Sequence, residues 1–298
     1  MKLIYSDQYD LNLGEHVFQS VKYKLTQEKL VREGVVSARD ILDPEPAPDE
    51  DIARVHTQEY IRKLKEGTLS YQEILAMEVP YSPQLVNANW LAAGGSTLAG
   101  RRAMEDGAAM NVGGGFHHAF PGHGEGFCVI HDVAVAIRRL QADQVIGTAM
   151  TVDCDVHQGN GTAFIFRDDP TVFTFSIHQE RNYPPYKPPG DLDVNLEDGA
   201  EDEEYLAALE EGLDKSLGKF HPGIIFYIAG ADPYREDQLG GLKLSFDGLA
   251  RRDRMVFEKA RSKNIPVAVT LAGGYARRVE DTVQIHANTA RVAKDYSV

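Results

Sequence analysis

Short apolar segments alternate with amphipathic segments along most of this chain, and the alternation limits the folds that it can form. The apolar segments have the length of buried strands, and they cover residues 110–113, 149–155, 171–177, 224–230 and 267–272. Candidate helices lie between several of them, at residues 133–140, 203–217 and 246–261. Strands that alternate with helices are typical of a parallel sheet with helices on both faces. We therefore predict an α/β fold with a largely parallel sheet.

The amino-terminal third of the chain contains the same kinds of element. Residues 2–5 have the pattern of a short strand, residues 13–33 and 86–105 have helical patterns, and residues 51–64 suggest a loop followed by a helix. Residues 43–48 form a proline-spaced loop that is too short for an interdomain linker. No internal repeat or change in composition marks a second domain. We predict one domain over residues 1–298.

The composition argues against several classes of function. The chain has 45 acidic and 31 basic residues and a formal charge of −14, which disfavours binding to nucleic acid or to an anionic membrane. It has neither an apolar run of membrane-spanning length nor a signal-peptide core. Cys128 and Cys154 lie in apolar or strand-like segments, which favours reduced thiols over a disulfide. We predict a cytoplasmic protein with no nucleic-acid or membrane partner.

Polar side chains follow four of the predicted strands at the point where each strand ends. They are His117 and His118, the segment from Asp153 to His157, Asp232, and Tyr275. Ligands of open α/β sheets bind at the carboxyl ends of the strands. Histidine, carboxylate and phenol groups at four strand ends therefore predict one common site.

The segment Thr151-Val-Asp-Cys-Asp-Val-His157 contains a D-x-D-x-H pattern that runs into Gln158-Gly-Asn-Gly161. If the chain stays extended, Asp153, Asp155 and His157 lie on the same face, because alternate side chains of a strand point the same way. Carboxylate oxygen and imidazole nitrogen suit zinc or another first-row divalent metal. The alternative interpretation of this motif alone is a surface turn with a solvated acidic edge.

Taken in order, these motifs resemble the zinc-dependent histone deacetylase family, which has the arginase/deacetylase fold. The matching residues are Gly114-Gly-Phe-His-His-Ala119, Gly126-Phe-Cys128, Asp153-x-Asp-x-His-Gln-Gly-Asn-Gly-Thr162, Ala229-Gly-Ala-Asp232, Leu239-Gly-Gly241 and Gly273-Gly-Tyr275, with His56-Thr-x-Glu-Tyr-Ile61 before them. The resemblance covers nearly the whole chain, and the ordered set is far more specific than any one motif.

The resemblance implies a catalytic metal held by Asp155, His157 and Asp232, with Zn²⁺ as the expected ion and Fe²⁺ as the alternative. It implies that His118 acts as general base on metal-activated water and then as general acid toward the leaving amine, with His117 beside it as an electrostatic element. Tyr275 would donate a hydrogen bond to the oxyanion.

The resemblance also implies roles for two supporting residues. Asp153 would orient His117. Asn160 stands where several nuclear members of the family carry aspartate as the partner of the second histidine. An amide stabilises an imidazolium less well than a carboxylate does, so we expect a less basic His118 than in those members. The segment from His157 to Gly161 is most similar to class IV or bacterial histone deacetylase-like proteins.

Other roles come from the same resemblance. Phe127 and Tyr183 would form the aromatic walls of an acyl-lysine channel, although both could be ordinary packing aromatics. Gly126 and Gly274 would line it, and Leu239 takes the position where polyamine-specific members carry glutamate. A structural K⁺ would be bound mostly through backbone carbonyls by Asp153, Asp155, His157, Ser176 and Ile177.

The resemblance implies hydrolysis of the acyl-amide of N-acyl-lysine in a protein or peptide. The first alternative is an amidohydrolase that acts on a small acylated amine such as an acetylpolyamine. The second is a catalytically silent scaffold that binds acyl-lysine or a protein partner. The third is an arginase-like hydrolase, which would need a two-metal cluster with more aspartates than the motifs supply.

Overall fold

The computed structural model describes residues 1–297 and contains eight parallel strands in one sheet. The strands are β1 (Lys2–Ile4), β2 (Ile41–Leu42), β3 (Ala108–Asn111), β4 (Ala149–Asp153), β5 (Val172–Gln179), β6 (Leu192–Leu196), β7 (Ile225–Ile228) and β8 (Val267–Thr270). Their order in the sheet is β2-β1-β3-β8-β7-β4-β5-β6, and every pairing is parallel. The predicted α/β fold with a parallel sheet is confirmed.

Ten α-helices lie within the described residues. They are α1 (Val21–Arg32), α2 (Asp49–Ile52), α3 (Gln58–Glu66), α4 (Tyr71–Met77), α5 (Pro83–Asp106), α6 (Asp132–Ala142), α7 (Asn160–Phe166), α8 (Asp202–Lys219), α9 (Phe246–Ser262) and α10 (Val279–Tyr296). Single 3₁₀ turns occur at Asp7–Tyr9 and Ala38–Asp40. None of the helices within residues 1–297 is both long and apolar enough to cross a membrane.

Neighbouring residues of each strand bury their side chains on opposite faces of the sheet. Leu3 of β1 and Tyr227 of β7 belong to the core that includes residues of α1, α8, α9 and α10, whereas Ile4 and Phe226 belong to the core shared with α5 and α6. A strand covered on both faces needs an unbroken apolar run. This explains why the strands were visible in the sequence as short apolar segments.

The long helix α5 has a capped N-terminus and small residues along its buried face. The Oγ atom of Ser82 accepts a hydrogen bond from the backbone N–H of Leu85, and Pro83 occupies the first turn, where a missing N–H does no harm. A side chain at Gly100 would place its Cβ 2.5 Å from Leu140 of α6. Glycine at this position therefore lets α5 pack closely on α6 without displacing the Leu140 side chain.

The structure differs from the sequence prediction at several element boundaries. The helix expected over residues 13–33 begins only at Val21, and the preceding residues instead form a loop that places Phe18 near the strand ends. The strand expected over residues 149–155 ends at Asp153. Helices α2, α4, α7 and α10 and strands β2 and β6 were not predicted, because short or half-exposed elements have a weak apolar pattern.

Candidate active site

The candidate site lies where four adjacent strands end. In the sheet β3, β8, β7 and β4 are consecutive neighbours, so the loops that follow them start side by side. These loops carry the pair His117 and His118, then Tyr275, Asp232, and the segment from Asp153 to His157. The strand order explains how residues more than 150 positions apart in sequence reach one site.

Three of these side chains form a compact group of ligand atoms. One nitrogen of His157 and one oxygen each of Asp155 and Asp232 lie within 4.8 Å of one another, and all three residues are buried. The His157 Nδ1 atom is 3.0 Å from Asp155 Oδ1 and 3.5 Å from Asp232 Oδ2. The sequence argument for this grouping was wrong in one respect, because Asp155 and His157 lie in a bend after β4 and not on one face of a strand.

Two glycines make room for the carboxylates. A Cβ at Gly230 would approach Asp155 Oδ2 to 2.7 Å, and one at Gly273 would collide with Asp232 Oδ2. The backbone N–H of Gly273 instead donates a 2.9 Å hydrogen bond to Asp155 Oδ2. The glycines therefore let two backbone segments close around the acidic pair.

The chemistry of this group fits a divalent cation. The buried Oδ2 atom of Asp232 has no hydrogen-bond partner among the described residues. Burial, followed by the charge of Asp155, raises the pKa of Asp232 to about 7. Burial alone would lower the pKa of His157, but its hydrogen bond to Asp155 and the nearby charge of Asp232 raise it to about 10. An unsatisfied carboxylate oxygen and two buried acids around one imidazole are a donor set and a charge that suit a divalent metal ion.

The two adjacent histidines have different partners. His117 Nδ1 lies 2.7 Å from Asp153 Oδ2, and His118 Nδ1 lies 2.7 Å from Asn160 Oδ1. Burial would lower the pKa of His117, but the charges of Asp153 and Asp155 raise it to about 9. Burial and the charges of His117 and His157 hold the pKa of His118 well below its usual value. The surroundings of His117 thus favour its cationic form, and those of His118 favour the neutral ring.

Tyr275 faces the same space from the loop after β8. Its backbone N–H donates a 2.6 Å hydrogen bond to Asp237 Oδ2, and its ring lies 5.7 Å from the ring of Phe127. Burial, and then the charges of Asp155 and Asp232, raise the pKa of the Tyr275 hydroxyl well above 10. The side chain therefore stays a phenol that can donate a hydrogen bond.

A cavity of about 160 Å³ opens from this group to the surface. Its lining residues are Glu78, His118, Gly126, Phe127, His157, Asn182, Tyr183, Leu239 and Tyr275. Gly126 has a positive φ of 53°, and a Cβ there would lie 2.8 Å from the ring of Tyr183. Four of the five predicted substrate-binding residues therefore line one pocket. Gly274 lies outside this lining, and its carbonyl accepts a hydrogen bond from Lys22.

The predicted monovalent-cation residues occupy neighbouring positions. Asp153 of β4 is paired with Ser176 of β5 in the sheet, and Ile177 follows directly. Ser176 Oγ lies 2.9 Å from His178 Nδ1, and the backbone N–H of Asp155 donates to Asp153 Oδ1. K⁺ binding by these residues stays a prediction.

Sequence reasoning missed several residues that shape the site. Lys22 from α1 is buried beside Tyr275, Asp237 accepts hydrogen bonds from the backbone of the 239–240 and 275 segments, and Glu125 is hydrogen-bonded to Asn160. Glu78 and Asn182 line the pocket. None of the five lies in a recognisable motif, because each reaches the site only through a loop or helix from elsewhere.

Two other histidines, His123 and His131, lie outside the pocket. His131 is fully buried at the start of α6, and its Nε2 atom lies 2.9 Å from Thr162 Oγ1. His123 is partly exposed and lies 3.4 Å from Glu125 Oε2. Neither histidine lines the pocket.

Comparisons with known proteins identify the family to which the chain is similar. The model of the histone deacetylase domain matches residues 16–290. An uncharacterised protein of Picosynechococcus sp. is 40% identical over 281 residues, which are 94% of each chain. Histone deacetylase 2 of Arabidopsis thaliana is 34% identical, with 95% of this chain and 78% of that protein covered. The crystal structure of an HDAC homologue from Aquifex aeolicus has a TM-score of 0.83 and 24% identity, covering 99% of this chain and 84% of that one, so the two share a fold.

Proposed function

This chain belongs to the histone deacetylase family, and on that premise we propose that it hydrolyses the acyl-amide of N-acyl-lysine side chains in proteins or peptides. The observation that carries the proposal is the position of His118. Its Nδ1 atom is engaged with Asn160, so its Nε2 atom is left for proton transfer in the pocket, beside the group formed by Asp155, His157 and Asp232.

Asp155, His157 and Asp232 would hold the metal, with Zn²⁺ proposed and Fe²⁺ as the alternative ion. A divalent cation bound there supplies Lewis-acid polarisation of the substrate carbonyl and lowers the pKa of water. The second proposed ion is a structural K⁺ bound by Asp153, Asp155, His157, Ser176 and Ile177. Support for the first ion comes from the unpartnered Oδ2 atom of Asp232.

His118 accepts the proton of the attacking water at Nε2 and later returns a proton to the leaving lysine amine. His117, paired with Asp153, stays cationic and provides positive charge beside the reacting groups. Tyr275 donates its hydroxyl hydrogen to the carbonyl oxygen as negative charge develops on that atom.

The pocket fits an extended side chain better than a bulky group. Phe127 and Tyr183 both line the cavity, and the ring of Tyr183 lies 4.9 Å from that of His118. Two aromatic walls suit the methylene chain of acyl-lysine, which contacts them without polar pairing. Gly126 keeps the passage open because any side chain there would touch Tyr183.

One observation favours a second candidate, the hydrolysis of a small acylated amine. The carboxylate-bearing Glu78 lines the cavity, and a remote amine of an acetylpolyamine would be attracted to it. Leu239 also lines the cavity and supplies an apolar surface where a carboxylate would be needed to select such an amine. We therefore rank acyl-lysine first.

The test is a panel of acyl-lysine peptides graded by acyl length, assayed beside free acetylpolyamines, on protein of measured metal content. We expect release of the acyl group from peptides with a higher kcat/KM than from any free polyamine. A higher kcat/KM for a polyamine would favour the second candidate. No release from either class by metal-loaded protein would contradict both.

Two further predictions accompany this function. We propose one catalytic domain over residues 1–298, which the family match over residues 16–290 supports. We also propose a cytoplasmic location with no nucleic-acid or membrane partner. The buried free thiols of Cys128 and Cys154 support a reducing compartment.

A further inference from the structure

Glu125 is hydrogen-bonded to the amide that holds His118. Its Oε1 atom accepts a 2.8 Å hydrogen bond from Asn160 Nδ2, and Asn160 Oδ1 lies 2.7 Å from His118 Nδ1. The same Oε1 atom accepts a 2.7 Å bond from the hydroxyl of Tyr183. A continuous chain of hydrogen bonds thus connects the carboxylate of Glu125 to His118, which lines the pocket.

These hydrogen bonds determine which way the Asn160 amide points. An ionised carboxylate can only accept hydrogen bonds, so the NH₂ group of Asn160 must face Glu125 and its carbonyl must face His118. The backbone N–H of Gly161 donates to the same carbonyl and supports this orientation. Because that carbonyl only accepts, His118 must carry its proton on Nδ1. The Nε2 atom is then the unprotonated one.

The charge of Glu125 also acts through the amide. Asn160 and His118 are buried, whereas the side chain of Glu125 is 25% exposed, so the carboxylate keeps contact with water and stays ionised at low cost. A bond to an ionised acceptor polarises the amide and makes its oxygen a stronger acceptor for His118. The Asn160 amide thereby stabilises the Nδ1 proton of His118 partly as a carboxylate would.

Few other groups contact the hydrogen-bonded series of Glu125, Asn160 and His118. His123 lies 3.4 Å from the other carboxylate oxygen of Glu125, and the backbone of Cys128 is paired with that of Glu125. Glu78, which lines the cavity, has a pKa raised by burial and then by the charge of Glu125. His118 itself faces the rings of His117, His157 and Tyr183. Of the two acidic residues beside the pocket, only Glu125 bonds to Asn160 within the described structure.

We propose that Glu125 is a positioning residue for the general base, acting through Asn160 to fix the tautomer of His118 and to strengthen its hydrogen bond. The inference deepens the proposed function and rests on it for the catalytic role of His118. Glu125 touches neither the substrate carbonyl nor the three metal ligands in this proposal, and its effect is on proton transfer.

The first test is spectroscopic and uses the full chain loaded with Zn²⁺ and labelled with ¹⁵N-histidine. In the wild type we expect the His118 ring to carry its proton on Nδ1. In Glu125→Gln, whose side chain is neutral and can present its own NH₂ group to Asn160, we expect an upfield shift of that proton and an increased Nε2–H population. An unchanged ring spectrum in E125Q would overturn the proposal, whether or not the protein hydrolyses acyl-lysine.

The second test separates turnover from binding. We expect kcat of E125Q to fall about fivefold, the order of the difference between a charged and a neutral hydrogen bond, with KM little changed. Glu125→Ala, which loses the acceptor as well, should fall further. The matched variant Glu78→Gln removes the other pocket carboxylate and should change KM for basic peptides more than kcat. Equal kcat effects of E125Q and E78Q would overturn the proposal.

A double-mutant cycle keeps the result interpretable if any variant is less stable. In an Asn160→Ala background the connection to His118 is already lost, so adding E125Q should cause no further loss of kcat. A multiplicative loss in the double variant would show that Glu125 acts by another route. Absence of acyl-lysine turnover in the wild type would count against the proposed function, and the spectroscopic test would still decide the role of Glu125.

Discussion

The Nζ atom of Lys22 lies 5.2 Å from the ring centroid of Tyr275. The same ammonium donates a 2.9 Å hydrogen bond to the carbonyl of Ala272 and a 3.4 Å bond to that of Gly274. Lys22 is buried on α1, and burial lowers its pKa to about 8, although the charges of Asp232 and Asp155 oppose the shift. The buried ammonium of Lys22 on α1 thus holds the loop that positions the Tyr275 side chain.

Replacing this ammonium should weaken the positioning of Tyr275. In Lys22→Met the two carbonyls lose their donor while the volume is largely kept, so we expect kcat to fall about tenfold with a small change in KM, consistent with loss of roughly one charged hydrogen bond. Steady-state kinetics on an acyl-lysine peptide measure this. A kcat equal to that of the wild type would show that the loop holds its shape without Lys22.

The same variant makes a prediction about stability against pH. The folded pKa of Lys22, about 8, is below the ordinary value near 10.5, so the unfolded state binds more protons between these values. Stability from this group therefore rises as pH increases from about 8 to 10.5 and is lost as pH falls through 8. The free energy of unfolding of the wild type minus that of K22M should rise by about 3 kcal/mol over this window. Urea unfolding of both proteins at each pH tests the sign.

Removing one metal ligand should have opposite effects on metal binding and on metal-free stability. We expect Asp232→Asn to bind Zn²⁺ more than about 100-fold less tightly, since loss of an outer-shell partner alone costs up to that factor. Without metal, the pKa of Asp232 is higher in the folded state than in the unfolded state. Ionisation of this carboxyl group therefore lowers the stability of the protein as the pH rises from 3.8 to about 7. Metal-free D232N should therefore be more stable than metal-free wild type at pH 8, by roughly a few kcal/mol.

Two measurements decide this pair of expectations. Metal content after dialysis against Zn²⁺ reports the first, and thermal unfolding in chelator reports the second. Zn²⁺ should raise the melting temperature of the wild type and leave that of D232N nearly unchanged, because only a ligand that binds the native state stabilises it. Equal metal content in both proteins would contradict the assignment of Asp232.

Removing the general base should abolish turnover without removing the metal. We expect His118→Ala to lose about 10²- to 10⁴-fold in kcat, the usual contribution of a positioned acid–base group, at unchanged metal content. His221 is exposed and precedes β7 at the opposite end of that strand, so His221→Ala is the matched control and should match the wild type. An undiminished rate in H118A would contradict the mechanism.

Removing the Tyr275 hydroxyl should affect the rate and not binding. Because the pKa of that hydroxyl is held well above 10, it is a full donor at neutral pH, and Tyr275→Phe should lower kcat about 10²- to 10³-fold. Tyr186 is 72% exposed, and Tyr186→Phe provides a control with the same atom removed. Comparable losses in both variants would point to a general destabilisation.

The residue at position 239 should control the choice between the two candidate substrates. Leu239 lines the cavity, and its carbonyl accepts a 2.8 Å hydrogen bond from Asn182 that fixes the local backbone. We expect Leu239→Glu to raise kcat/KM for acetylpolyamines relative to acyl-lysine peptides by about tenfold, from a new contact between charges. The neutral variant Leu239→Gln should not. If both variants change the ratio equally, charge is not the cause.

Much of the fold could be predicted because its strands are buried on both faces. Residues 224–230 and 267–272 stood out as unbroken apolar runs, and they contain β7 and β8. The family resemblance was confirmed by the domain match and by the relatives. Strand β2 has two residues and β6 is only partly buried, so neither left such a run.

By itself the sequence determined the kinds of residue at the site and the order in which the strand ends present them. It could not determine that Asp155 and His157 meet Asp232 through a bend after β4, because the backbone N–H of Val156 in that bend donates to Asp232 Oδ1, which comes from a segment 76 residues away. Nor could it place Lys22 under Tyr275 or Glu125 against Asn160. Such contacts depend on the order of β3, β8, β7 and β4 in the sheet and on the helices and loops packed at their ends. Only the tertiary structure decides them, since contact energies between distant segments leave no periodic trace in the chain.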